Sequence, residues 1–498
     1  MNSEKATGSG GTRGADHESP LPLDPERTTD HRVHELLLVL DREGRRSLRH
    51  QLELALRDAI REGRLQSGSR LPSSRDLARQ LGVSRGVVVD AYAMLQAQGF
   101  LVTSPRVAPL VATYRDVASP PRDGGEAQTP YRPRFDFTAT TPDVGLFNRR
   151  AWGRAIEYVL RTAPDSAFDY GQPQGTWEAR QALAEYLGRV RSLLTAPQNI
   201  VIVQGYSQAI DLCCRMLARR GARRIAFENP SHDDQWAVAR AAGLEALAIP
   251  VDGEGICVDA LIAAAPDAVV VTPAHQFPTG GVLSGERRRR LLEWAASQGA
   301  LVIEDDYDSE FRYDHAPVGA LQGLDPSHVL HVGTLSKTLA PALRSGWVVV
   351  PSRLTESFVA VKEQADAGSP VLEQLAFTRM LSSGRYEREV QRGRLEYRAR
   401  RDLLLRTLGV QLPECEIRGI AAGLHVLLVL PPGCEETTTV AAAASRRVGV
   451  RALSDFKLAP DHHPPSLLLG YGRLSRPSIE PAVRELAAAL RAVRSSRA

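Results

Sequence analysis

Lysine is nearly missing from this chain. Of its 62 basic residues only Lys5, Lys337, Lys362 and Lys457 are lysines, so arginine supplies positive charge wherever charge alone is wanted. What an ammonium can do and a guanidinium cannot is give up its proton and attack a carbonyl as a free amine. Cysteine is scarce too. Cys213, Cys214, Cys257, Cys415 and Cys434 include no C-x-x-C pair and are odd in number, which speaks against a disulfide framework and a cysteine-based metal centre; no metal is expected. No apolar run is long enough to span a bilayer, and residues 1–31 are polar and rich in Gly, Ser, Pro and charge, unlike a secretory leader. These absences exclude membrane and secreted classes and predict a cytoplasmic protein.

The 498 residues are too many for one ordinary domain and predict two or three. The net charge of +4 hides an asymmetry: residues 42–115 hold 13 Arg against 6 Asp or Glu, a balance of +7, which leaves −3 for the rest. A basic module on a mildly acidic body points to a polyanion at one end only. By composition, residues 1–34 read as a disordered tail and 35–113 as a compact module. Residues 114–134, with Pro120, Pro121, Gly124, Gly125, Pro130 and Pro133, read as a linker, and 135–498 as a large second module.

In the first module, Leu48 to Leu65 reads as a helix. Ser73 or Ser74 caps a second, Arg75 to Leu81, stopped by Gly82; Ser84 caps a third, Arg85 to Gln98, ended by Gly99. Two short helices around a Gly-containing turn form a helix-turn-helix, whose second member enters the major groove of double-stranded DNA. Phe100-Leu-Val-Thr and Pro109-Leu-Val-Ala read as a two-stranded wing with Ser104-Pro-Arg at its tip. Arg70, Arg75 and Arg106 suit phosphates or a groove edge, while Ser84, Arg85 and Gly86 open the third helix, where Arg85 can contact a guanine.

The second module alternates short β-branched runs with amphipathic helices: Ile200-Val-Ile-Val, Arg224-Ile-Ala-Phe, Ala268-Val-Val-Val-Thr, Leu301-Val-Ile-Glu, His328-Val-Leu-His-Val and Gly346-Trp-Val-Val-Val. Such runs are strands buried on both faces, and they predict an α/β module with a mainly parallel sheet. Four clusters accompany Lys337, which sits in His331-Val-Gly-Thr-Leu-Ser-Lys-Thr-Leu-Ala-Pro-Ala-Leu-Arg344. Tyr170-Gly-Gln-Pro-Gln-Gly175 is a turn before a helix starting near Thr176. Val203-Gln-Gly-Tyr-Ser-Gln208 is a strand end whose glycine opens a helix, a place for a phosphate. Ile303-Glu-Asp-Asp-Tyr-Asp-Ser-Glu-Phe-Arg312 puts acids directly after a buried strand, where an Asp can hold a pyridine nitrogen protonated. Arg344 supplies a second charge for a phosphate. An amine for an aldehyde, an acid for a ring nitrogen and an anion nest together describe a site for pyridoxal 5'-phosphate.

The segments Gly68-Ser-Arg-Leu-Pro-Ser-Ser-Arg-Asp-Leu-Ala78, Leu81-Gly-Val-Ser-Arg85 and Ala91-Tyr-Ala-Met-Leu-Gln-Ala-Gln-Gly99 resemble the winged helix of GntR-type regulators, with Pro105 departing from the usual glycine-rich wing tip. Residues 135–498 resemble the fold-type I aminotransferases, which implies a small C-terminal α+β subdomain, and the fusion is similar to the MocR family of regulators. The resemblance implies a homodimer in which Lys337 forms the Schiff base, Asp305 faces the pyridine nitrogen and Tyr307 bonds the ring hydroxyl. Gly205, Ser207, Gln208, Ser336 and Arg344, with Thr334, would hold the phosphate, and His232 would stack on the ring where the family usually carries an aromatic residue. Three departures bear on function. Phe277 stands where aminotransferases commonly have Asn, Leu467-Leu-Leu-Gly-Tyr-Gly-Arg473 lacks their carboxylate-gripping Arg, and Asp234 stands where an amino-acid sensor can carry Arg. Arg451 or Arg473 are the candidate substitutes.

The reading is a transcriptional regulator that senses pyridoxal phosphate itself, or an amine or amino acid joined to it, and controls genes of vitamin B6 or amine metabolism. Its rivals are an active aminotransferase with an appended DNA-binding domain, and a degenerate module serving only as a dimerisation scaffold.

Overall fold

The computed structural model describes residues 40–42, 46–104, 107–113, 133–138, 141–313 and 318–495. The expected tail, nearly all of the expected linker, and the wing-tip residues Pro105 and Arg106 lie outside these. The chain divides into two compact units, Met1–Thr129 and Pro130–Ala498.

In the first unit, three helices, Leu48–Arg61, Ser74–Leu81 and Arg85–Ala97, precede the antiparallel pair Leu101–Val102 and Leu110–Val111. Apolar residues recur at helical spacing, Leu52, Leu56 and Ala59 on the first helix and Val88, Ala91, Tyr92 and Leu95 on the third, so one face of each is buried. These faces close over Leu77, Leu101 and Val111 to make one core. Ser73 caps the second helix by accepting from the Asp76 N–H at 3.2 Å, worth about 1 kcal/mol. Gly82 ends that helix at φ 61°, a left-handed conformation that glycine adopts without a side-chain clash. The first helix is shorter than expected: it stops at Arg61, and Gly63 at φ 73° turns the chain so that Leu65 still reaches the core.

The second unit is built on an eight-stranded sheet. From edge to edge it runs Ile200–Val203, Gly346–Val349, Val329–Thr334, Leu301–Asp306, Ala268–Val271, Arg224–Asn229, Glu245–Asp252 and Gly255–Ile256. Alternate residues serve opposite faces. Val201, Val203, Ile303 and Val332 pack on one side under the helices Tyr206–Arg219 and Thr355–Asp366, while Ile200 and Ile202 face the other. The four strands from Arg224–Asn229 to Val329–Thr334 are mutually parallel, so their carboxyl ends share one edge. Gly346–Val349 runs antiparallel to both neighbours, so its start, immediately after Arg344, lies at that same edge.

A smaller antiparallel sheet, Glu416–Arg418, His425–Val429, Ser466–Gly470 and Arg451–Ala452, follows. It shares a core with the helices Arg385–Gln411, Glu436–Ser445 and Arg476–Ser495. No helix among the described residues is long and apolar enough to cross a membrane.

Candidate functional site

The common strand edge opens into a cavity with about 1100 Å³ of atom-free space, its mouth included. Lys337, Asp305, Tyr307, Arg344, Ser336, Ser207, Thr334 and His232 all line it, so residues spread over about 140 positions of sequence converge. Gly205, at φ 87°, is the N-cap of the helix Tyr206–Arg219, whose first-turn N–H groups have no intrahelical partner. A Cβ on Gly205 would lie 3.7 Å from the Arg344 guanidinium. Arg344 itself pairs with no carboxylate among the described residues, and it lines the cavity together with Ser207 and Ser336.

Gln208 is placed otherwise than expected. Its side chain does not reach the cavity: Oε1 accepts from the Gln204 N–H at 2.8 Å and Nε2 donates to Asp366 at 2.7 Å. Asp366 also takes the Lys362 ammonium at 2.7 Å, and it accepts from the Gly368 N–H. Gln208 therefore braces the helix start, and only its backbone N–H is available to an anion.

The acidic strand end divides by the alternation of side chains. Glu304 accepts from the Leu321 and Gln322 N–H groups, and Asp306 takes both nitrogens of a bidentate Arg191 at 2.8 Å with His331 at 3.0 Å. Asp308 holds His275 at 2.9 Å. Asp305 alone of the four turns into the cavity, where its Oδ1 is buried without a hydrogen-bond partner. Such an orphan is costly unless a donor reaches it.

Burial pushes the Asp305 carboxyl well above the usual range, helped by the negative Asp306 and Asp308 and opposed by Lys337. Burial lowers the Lys337 amine, while Asp308 and Asp305 pull it back up. Burial likewise lowers His232 and drives His425 well below its usual value. The Tyr307 hydroxyl lies 3.0 Å from His275 Nδ1, so a His275–Asp308 pair positions the phenol in the cavity that Lys337 also lines. Phe277 is buried and meets Tyr307, His425 and Phe456 edge-on. That aromatic packing occupies the place of the aminotransferase Asn.

Several lining residues were not assigned a role from the sequence. Tyr206, Ser231 and Gln235 each carry a buried side-chain oxygen without a partner, and Glu228 is fully enclosed. Glu228 accepts from Thr272 and Gln276, and burial pushes its carboxyl up to about 7. Asn-Pro-Ser-His at 229–232 follows a strand in a way a sequence reader could flag, but nothing in residue type separates a lining Ser from any loop Ser. Neither proposed substitute arginine lines the cavity. Arg451 bonds Asp233 at 2.7 Å and Asp455 at 3.3 Å, and Arg473 bonds Asp136 at 3.1 Å.

In the other unit, Ser84, Arg85 and Gly86 are exposed at the first turn of the third helix, and Arg70 and Arg75 are exposed as well. Ser84 occupies the N-cap, but its side chain makes no capping bond and stays available. Arg85 Nε donates to Ser74 at 3.3 Å, which draws together the starts of the second and third helices. The Gly86 backbone is open, with nothing closer to an added Cβ than Ser84 Oγ at 3.9 Å.

Fold and cavity together define an aminotransferase-like module carrying a winged helix-turn-helix. The description "Aminotransferase class I and II" matches residues 146–463, and "Bacterial regulatory proteins, gntR family" matches 48–111. The chain is 30% identical to the probable rhizopine catabolism regulatory protein MocR of Rhizobium meliloti, over 92% of this chain and 97% of that one. It is 32% identical to the HTH-type pyridoxine biosynthesis transcriptional regulator PdxR of Corynebacterium glutamicum, over 82% and 89%. Among solved structures, the α-aminoadipate aminotransferase LysN of Thermus thermophilus, complexed with N-(5'-phosphopyridoxyl)-L-leucine, superposes with a TM-score of 0.66 at 26% identity, covering 72% of this chain and 93% of that one. The chain belongs to the MocR family of GntR-type transcriptional regulators with an aminotransferase-like domain.

Proposed function

We propose that this regulator holds pyridoxal 5'-phosphate in the cavity and that the cofactor's presence governs how the protein engages DNA. The carrying observation is the buried Asp305 oxygen without a partner, in a cavity also lined by Lys337 and Arg344. A protonated pyridine nitrogen supplies the donor that Asp305 lacks. Lys337, its amine favoured in the neutral form by burial, would take the aldehyde carbon. Arg344, Ser207, Ser336 and the N–H groups after Gly205 would hold the phosphate, with Thr334 behind Ser336, to which it donates at 3.0 Å. His232 would cover the ring face, and Tyr307 the ring hydroxyl. When bound, the cofactor supplies an aldehyde that joins reversibly to amines.

Ser84, Arg85, Gly86, Arg70 and Arg75 form the DNA-facing set, and Arg106 is expected to join them from the wing tip. A homodimer would present two such sets. Self-association is supported by Phe168, Tyr170 and Trp177, which leave 55%, 98% and 50% of their surface exposed. The pyridoxine regulator among the relatives supports genes of vitamin B6 synthesis as the target. Turnover of amino acids has less support: the cavity's only arginine is Arg344, so a substrate carboxylate has no cation of its own among the described lining residues.

The test is a DNA mobility-shift assay on the protein's own upstream region, with and without pyridoxal phosphate, using the parent and Lys337→Ala. The parent is expected to change affinity or pattern on cofactor addition and the variant to stay as it was without it. Identical behaviour of both proteins, with cofactor bound, would overturn the sensor reading.

A further inference from the structure

We infer that the cavity takes a second ligand, a small primary amine whose far end is also cationic, seated against Asp234, Gln235 and Ser231. This rests on the cofactor reading and concerns the wall that reading leaves unused. Counting charges shows the asymmetry. Among the described lining residues the only cations are Lys337 and Arg344, both committed to the cofactor in that reading. The two arginines nearest in role, Arg451 and Arg473, are held by Asp233 with Asp455 and by Asp136.

The opposite wall offers acceptors without donors to meet them. Asp234 lines the cavity mouth and forms no ion pair among the described residues. Asp233 beside it already bonds Arg451, so that guanidinium does not neutralise Asp234. Gln235 is 3% exposed with an unpartnered Oε1, and Ser231 is 6% exposed with an unpartnered Oγ; both line the same cavity. Val238 and Ile210 supply an apolar stretch beside them. A buried amide oxygen and a hydroxyl beside an unpaired carboxylate suit a donor-only group such as an ammonium, and the Asp234 charge repels a second carboxylate. The effector class is therefore a diamine rather than an α- or ω-amino acid.

Isothermal titration calorimetry of the full-length, cofactor-loaded protein tests this with three probes: 1,4-diaminobutane, 1-aminobutane and 4-aminobutanoate. The diamine is expected to bind at least about tenfold more tightly than the monoamine, the effect of one charge-assisted hydrogen bond. Asp234→Asn should bring the diamine down to the monoamine's affinity. Asp234→Arg should reverse the order and favour 4-aminobutanoate. Asp234 is on the surface, so both variants are expected to fold, and an unchanged melting temperature checks that they do. Equal affinity for diamine and monoamine, or a preference that survives Asp234→Asn, overturns the inference. So does binding that needs an added divalent ion and disappears with chelator, since His232, Asp233 and Asp234 stand close enough to share a metal. A protein that keeps its cofactor and its yellow colour but shows no diamine preference refutes this inference alone. Loss of the cofactor on dialysis refutes the cofactor reading, and this inference with it.

Discussion

At the scale of single residues, Glu228 gives the sharpest prediction. Its carboxyl, ordinarily at 4.5, is pushed up to about 7 by burial, so the folded protein holds a proton there that the unfolded chain has released. Stability must then fall as pH rises through that window, by on the order of 3 kcal/mol if Glu228 acted alone. Glu228→Gln is expected to flatten that part of the stability curve and to melt above the parent at pH 8, with little difference at pH 4; parallel melting curves for the two proteins would contradict it. Asp305→Ala is expected to weaken pyridoxal phosphate retention on dialysis by about tenfold or more, the loss of a charge-assisted bond in a buried setting. At this scale the sequence was readable where a rare residue type or a motif marked the position, as with Lys337 and Arg344. At Gln208 the spacing marks the helix start but does not reveal the side chain's partner, Asp366. Among the acids at 304–308 residue type alone does not choose, since period-two alternation and local partners decide which carboxylate faces the cavity, here Asp305. Ser231 and Gln235 were illegible, because their roles depend on which helix packs above which strand.

At the scale of elements, the six strands named from β-branched runs all appear, within one or two residues, because continuous apolar runs of four suffice for a strand buried on both faces. The strand Glu245–Asp252 escaped notice: it lies near the sheet edge, carries Pro250, and alternates only partly between buried and exposed positions. The helix-turn-helix was readable from its caps. Gly82→Ala places a side chain at φ 61° and is expected to destabilise the DNA-binding unit by about 1 kcal/mol, read as a lower melting temperature of that unit by hydrogen exchange or calorimetry. Arg85→Ala, at the exposed helix start, is expected to cost about 1–3 kcal/mol of discrimination at one base position without changing the melt. Binding isotherms on single-base variants of the upstream site measure it, and uniform weakening across all variants would reassign Arg85 to phosphate.

At the scale of the whole molecule, the balance of +7 on residues 42–115 makes DNA affinity steeply salt-dependent, and Arg75→Ala is expected to lower the slope of log affinity against log salt by about one per bound copy. Light scattering is expected to return twice the chain mass, and Phe168→Asp to reduce it toward a single chain. The charge balance made a two-part organisation legible, and the chain does divide into two units, but the way distant clusters share one cavity became visible only through strand order and direction. Asp366 has a reach wider than its own helix. It braces Gln204 and Gln208 at the start of the helix Tyr206–Arg219, and the chain leaving it runs through Gly368, where an added Cβ would lie 3.3 Å from the Gln172 carbonyl oxygen, to Gln374, which accepts from the Thr176 N–H. One carboxylate thus ties the helix start beside Arg344 to the turn at Gly368 that backs the 170–176 segment, so two parts of the wall far apart in sequence share a single anchor.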